Sequence, residues 1–179
     1  IGALNTDDLN SNVILGNSIF NNNGLGIDLG ASGISNNDAG DNDSGPNDLL
    51  NAPMLLAVTP NGANTGISYE LDLPAGDYRI EFFTNTAQDL SGRGEGEEYI
   101  GFQNISHTGS GIESFNVLLT GVSGVTNLSM TATERNVNSD SGFGSTSEYS
   151  GTSSTTTNID TSLTKTLLNS SSVALDTDI

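Results

Sequence analysis

The chain has 179 residues, no cysteine and a formal net charge of −18, from 22 acidic against 4 basic side chains. That length supports one good core or two small ones. The basic residues Arg79, Arg93, Arg135 and Lys165 provide no basic face, so nucleic acid is excluded as a partner and an anionic membrane surface is disfavoured. No apolar run reaches transmembrane length, so membrane insertion is not expected. Self-repulsion of this size destabilises a compact state unless cations bind or salt screens it. The expected setting is therefore extracellular or at the cell surface. Ile1 opens in mid-pattern with no signal peptide, as expected of a piece of something longer.

Residues 1–35 come first. Between 12 and 29, short apolar pieces are separated by Asn and Gly. Ile14, Ile19, Ile27 and Leu29 are expected to point inward, and the glycine content argues against a helix. Residues 36–51 read NNDAGDNDSGPNDLLN. Carboxylates packed this closely repel unless a hard cation sits among them. Ca²⁺ takes six to eight oxygens and needs glycine for a tight loop. Asp38, Asp41, Asp43, Asn47 and Asp48 are the candidate ligands, with Gly45 giving the turn. The twelfth position from Asp41 is Ala52, so this is not an EF-hand, and part of the shell must come from elsewhere. The run reads as a joint between two differently patterned halves.

Residues 52–150 alternate cleanly. Ile67, Tyr69, Leu71 and Leu73 form one apolar face, then Tyr78, Ile80 and Phe82 after the Pro74-Ala75-Gly76 turn, then Phe115, Val117 and Leu119, then Leu128, Met130 and Ala132. Adding Met54 to Val58, Tyr99 to Ile105 and Thr146 to Tyr149 predicts about seven short strands, the pattern of an antiparallel sandwich. Residues 151–179 are rich in Ser and Thr. They read as a linker, or as a pairing strand around Leu163 to Leu168 that lies along this domain or on another copy.

Two resemblances follow from these residues. Asn12, Ile14, Gly16, Asn17, Ile19, Gly24, Gly26 and Ile27 resemble the rungs of right-handed parallel β-helix proteins. One or two rungs cannot bury their own face, so neighbours or a cap are implied. The features downstream resemble, in order, the module that follows such rungs in large bacterial surface or secreted proteins. They are Asp41 to Asn47, Asn51 and Pro53, Tyr-Arg-Ile-Glu-Phe-Phe (78–83), Gly-Glu-Gly-Glu (94–97), Thr131 to Thr133 and Thr-Ser-Glu-Tyr-Ser (146–150). This resemblance implies a location more than an activity.

The remaining candidates are weaker. Asp89, Glu95, Glu97 and Glu98 could hold a second cation, but Arg93 offers a local partner, so a flexible glycine hairpin with a surface ion pair is preferred. His107 stands alone and is expected in a solvated turn, with no nucleophile elbow around any serine. Tyr69, Tyr78, Phe82 and Phe115 fall on the inward phase, whereas Phe83 and Phe102 are out of step and are expected to be exposed.

The sequence therefore predicts an all-β chain: a β-helix-like segment (1–35), an acidic Ca²⁺-type joint (36–51), an immunoglobulin-like sandwich (52–150) and a tail (151–179). The expected function is a non-catalytic structural or adhesion module, partnered by copies of itself or by neighbouring domains. The alternatives are a filament subunit assembling head-to-tail by strand addition, and a carbohydrate-binding module whose partner is a polysaccharide. Catalysis is not expected, because a β-helix enzyme uses a groove across many rungs and fold analogy alone supports it.

Overall fold

A computed structural model describes residues 11–152. Beyond a short 3₁₀ turn at Pro46–Leu49, the regular structure is strand. In chain order the strands are β1 (Met54–Asn61), β2 (Asn64–Leu71), β3 (Gly76–Thr84), β4 (Glu98–His107), β5 (Glu113–Leu119) and β6 (Ser129–Glu134). They form two antiparallel three-stranded sheets, ordered β1-β2-β5 and β4-β3-β6. The all-β expectation holds.

The alternation of the sequence explains the layering. Val58, Ile67, Tyr69 and Leu71 from the first sheet meet Tyr78, Ile80, Phe82, Met130 and Ala132 from the second in one buried core. Tyr69 is central: its ring lies edge-on to Phe82 at 5.9 Å and stacks on Phe115 at 5.6 Å. A two-residue turn with Gly62 at φ 61° closes β1 onto β2, the geometry such hairpins favour.

Six strands form where about seven were expected. Residues 144–151 are not a strand, yet they extend the second sheet along β6. The backbone N–H groups of Ser147 and Ser150 donate to the carbonyls of Ala132 and Met130, and Glu134 and Ser145 pair nearby.

The segment 11–35 carries no named strand. Its one strand-like pairing is antiparallel, the bridge between Ile19 and Gly96. It runs instead as a strap across the outer face of the β4-β3-β6 sheet. Ile27 and Leu29 pack there with Phe83 and Tyr149 in a second small core, with Ile14, Ile19 and Leu49 against it. The isoleucines and Leu29 face inward as expected, and among the described residues the surface they meet is the sandwich. This also corrects Phe83. A bulge between Phe82 and Phe83 lets both rings be buried, one on each side of the sheet, and Phe83 is only 2% exposed beneath the strap. Phe102 is exposed as expected, with the Arg79 guanidinium 3.8 Å over its ring. The pairing expected at Leu163 to Leu168 lies outside the described residues.

Candidate functional site: an acidic joint and a carboxylate-held strap

The joint is a closed loop zipped at its base by two asparagines. The Asn37 side chain donates to the Ala52 carbonyl (2.7 Å) and accepts from the Ala52 N–H (3.0 Å). Asn51 does the same to Asp38, with a further bond to the Asp72 carbonyl. Asparagine suits this role because its amide mimics a peptide group in both donor and acceptor.

Within the loop, Asp38, Asp41 and Asp43 each bring a carboxylate oxygen within 4.8 Å of the others. Asp41 is at φ 57°, in the left-handed region, and accepts the Asn51 N–H at 2.7 Å. Burial pushes its carboxyl up to about 6. The Asn51 bond opposes this, while Asp43, Asp38 and Asp48 add to it. Asp43 is raised in the same direction, first by burial and then by Asp38. Three carboxylates form a hard, anionic donor set of the kind Ca²⁺ takes. Some of that capacity is already used, since Asp38 accepts the Asn42 N–H through both oxygens.

The other two predicted ligands face elsewhere. Asn47 is 1% exposed and its amide is saturated. Its Oδ1 accepts from the backbone and side chain of Asn12, and its Nδ2 donates to the carbonyls of Asn12 and Thr146. Asp48 accepts from the Ser145 hydroxyl at 3.2 Å. Asn47, Asp48 and Leu49 are consecutive residues at positive φ (52°, 56° and 53°). That left-handed turn is what aims Asn47 at the strap rather than at the three aspartates.

The strap is held by three glutamates that sequence reasoning did not single out for this role. Glu81, fully buried on β3, accepts the Gly16 N–H at 2.7 Å and pairs with Arg79 at 2.8 Å. Glu95 accepts the N–H groups of Asn21 and Asn22 at 2.9 and 3.1 Å. Glu148, 2% exposed, accepts the N–H of Leu29 at 3.0 Å and of Ser35 at 3.1 Å. Burial raises the Glu148 carboxyl, against the Leu29 and Ser35 bonds and the nearby Arg93 charge. A strap without sheet partners must place its N–H groups somewhere. Bonds from N–H to a carboxylate are roughly twice as strong as neutral ones.

These glutamates lie one in each of Tyr-Arg-Ile-Glu-Phe-Phe, Gly-Glu-Gly-Glu and Thr-Ser-Glu-Tyr-Ser. The motifs had been visible while their common purpose was not, because their shared partner is a backbone with no side-chain signature. The glycines of the second motif are steric. A Cβ on Gly94 would collide with Ser129, and one on Gly96 with the Tyr149 hydroxyl.

The Asp89 to Glu98 loop is therefore not a free hairpin. Arg93 donates to the Ser35 carbonyl at 3.1 Å, and Glu97 accepts from the N–H and hydroxyl of Thr86. Among the described residues Arg79 pairs with Glu81, and the Arg93 guanidinium is spent on the Ser35 carbonyl, so the expected Arg93 pair does not form. His107 is also corrected. It is 3% exposed, with Nε2 3.2 Å from the Leu71 carbonyl and Nδ1 accepting the Gly109 N–H. That pattern requires the neutral tautomer protonated on Nε2.

A cleft of about 440 Å³ is lined by Thr84, Glu98, Tyr99 and the 121–125 loop. No helix among the described residues is long and apolar enough to cross a membrane. No protein-family model matches the chain, and comparison with curated proteins finds no significant match.

Proposed function

We propose that this chain is a non-catalytic structural module of an extracellular or surface protein, stiffened at its acidic joint by a hard divalent cation such as Ca²⁺. One observation carries the reading. The best-placed ionisable groups, Glu81, Glu95 and Glu148, are spent on fastening one part of the chain to another. Catalytic carboxylates stand in clefts with their charge available to a substrate. These are capped by backbone donors. The strap and sandwich are thus fastened to one another, with the joint as a place where three like charges crowd together.

The finer form of the proposal describes the sandwich as immunoglobulin-like and the strap as the terminus of a β-helix capped by it. The Asn/Gly-rich pattern of residues 12–29 supports that description. In the joint, Asp38, Asp41 and Asp43 would supply the cation's protein oxygens, and binding would relieve their mutual repulsion. Bacterial surface localisation rests on the resemblance given above and on an acidity that favours salt and divalent ions.

Calcium titration of thermal stability tests the proposal. Saturation at a hundredfold over Kd adds about 2.7 kcal/mol, or a rise of about 5–10 °C for a domain near this size. Asp41→Asn with Asp43→Asn should abolish the response. A melting temperature indifferent to Ca²⁺ and to chelator would sink the cation part. A saccharide binder would instead use the cleft beside Tyr99, and Tyr99→Ala would then abolish retention on a polysaccharide gel.

A further inference from the structure

We propose that the strap is exchangeable: residues 11–38 of one copy can dock on the β4-β3-β6 sheet of a second copy, so that the chain assembles through reciprocal strap exchange. This rests on the strap docking described above and extends it from one chain to two.

The strap's contacts with the sheet are made with residues distant in sequence. Ile14, Gly16, Asn21 and Leu29 reach Thr146, Glu81, Glu95 and Glu148 across separations of 132, 65, 74 and 119 positions. No local hydrogen-bond ladder ties the strap to the sheet it covers. The receptor side is complete without the strap's own chain: carboxylates, the Phe83 and Tyr149 rings and the Asn47 amide all belong to residues 47–150. An identical strap from a neighbour would therefore meet identical partners.

The connection supplies both length and driving force. The Asn37–Ala52 and Asp38–Asn51 zips hold the strap end to the start of the sandwich. Residues 39–46 between them form the hinge. Fully extended, eight residues reach about 26 Å. In the closed form this short hinge holds Asp41 at φ 57° and keeps Asp41 and Asp43 beside Asp38. It also carries Pro46, which favours an extended residue before it, and Gly45 is already extended at φ 164°. Opening the hinge separates the like charges and releases the left-handed residue, while each strap contact re-forms in the partner. Exchange of an identical element across a strained hinge is a low-cost route to assembly. Reciprocal exchange closes a dimer, and one-way exchange continues into an open chain of copies.

The absence of cysteine from the sequence makes the test clean. Ser18 and Glu97 flank the Ile19–Gly96 bridge on facing segments, with the Ser18 hydroxyl donating to the Glu97 carbonyl at 2.7 Å. One chain would carry Ser18→Cys and a second, mass-tagged chain Glu97→Cys. The two are unfolded together in urea, refolded at high concentration and oxidised with oxidised glutathione. Exchange predicts a covalent heterodimer linked between positions 18 and 97, with a yield rising with protein concentration. Asp41→Asn with Asp43→Asn in both chains relaxes the closed hinge and should lower that yield several-fold. A third chain carrying both cysteines reports strap docking within one chain. If it cross-links as a monomer while the mixed pair gives no 18–97 heterodimer, exchange is overturned and docking stands. If it fails to cross-link at all, docking falls and exchange with it. A heterodimer yield that rises on neutralising the two aspartates overturns the hinge argument.

Discussion

Glu81→Ala is the most direct perturbation of the strap. The wild-type carboxylate is fully buried, with Oε2 on the Gly16 N–H and Oε1 on the Arg79 guanidinium. Truncation removes both acceptors and leaves a guanidinium under the strap without its counter-charge. Breaking a buried pair by deleting one partner costs about 3–5 kcal/mol. Arg79 retains some relief, because its side chain is 21% exposed and it keeps the Phe102 ring and the Tyr99 hydroxyl. The lower end of the range, about 3 kcal/mol, is therefore expected. That is a large share of a total stability of about 5–15 kcal/mol. It corresponds to a fall in melting temperature of about 6–12 °C. Urea unfolding measures the loss, and amide exchange locates it: protection should fall first at Gly16 and along the strap, while the Ile67 and Ile80 amides of the sandwich keep theirs. A loss under about 0.5 kcal/mol, the ordinary range of a surface substitution, would refute the claim that this carboxylate fastens the strap.

The remaining predictions concern the joint and the motif glycines. Asp41 titrates near 6 in the folded chain against an ordinary value of 3.8. The folded state therefore binds the proton more tightly, and stability falls as pH rises through that window. Discounted for partial exposure, ionisation of Asp41 costs about 1–2 kcal/mol at pH 7 relative to pH 4. Asp41→Asn should flatten that slope in urea unfolding and be the more stable protein at pH 7. Asn47→Ala deletes an amide with four partners and should cost about 3 kcal/mol by the same measurement, since buried groups are left unpaired. Gly94→Ala places a methyl against Ser129; about 1–3 kcal/mol of overpacking is expected, read as a lowered melting temperature.

How much of this was legible in the sequence depended on which partner each residue has. Alternation located β2, β3, β5 and β6, because Ile67, Tyr69, Tyr78 and Phe82 face a core that rewards a period of two. It misplaced Phe83, because a bulge and a covering strap bury the opposite phase as well. Clustering of acidic residues drew together Asp38, Asp41 and Asp43, which are neighbours in space. It also drew in Asn47 and Asp48, and nothing in composition reveals that three successive left-handed residues turn that end of the loop towards Asn12 and Ser145. The glutamates of the strap were hidden for a related reason. Their partners are peptide N–H groups up to 119 residues away, and every residue but proline has one.

That choice of partner shapes which substitutions the strap tolerates. Glu81, Glu95 and Glu148 grip the main chain of Gly16, Asn21, Asn22, Leu29 and Ser35. At Asn21 and Leu29 the grip is on the main chain alone, whereas the Asn22 side chain also donates to Glu95 and Gly16 holds a left-handed φ of 61°; proline is the one residue that removes the donor outright. A proline scan and an alanine scan of residues 17–35 would therefore give different maps, with proline damaging Asn21, Asn22 and Ser35, alanine damaging Ile19 and Ile27 between them, and both damaging Leu29, which is gripped and buried.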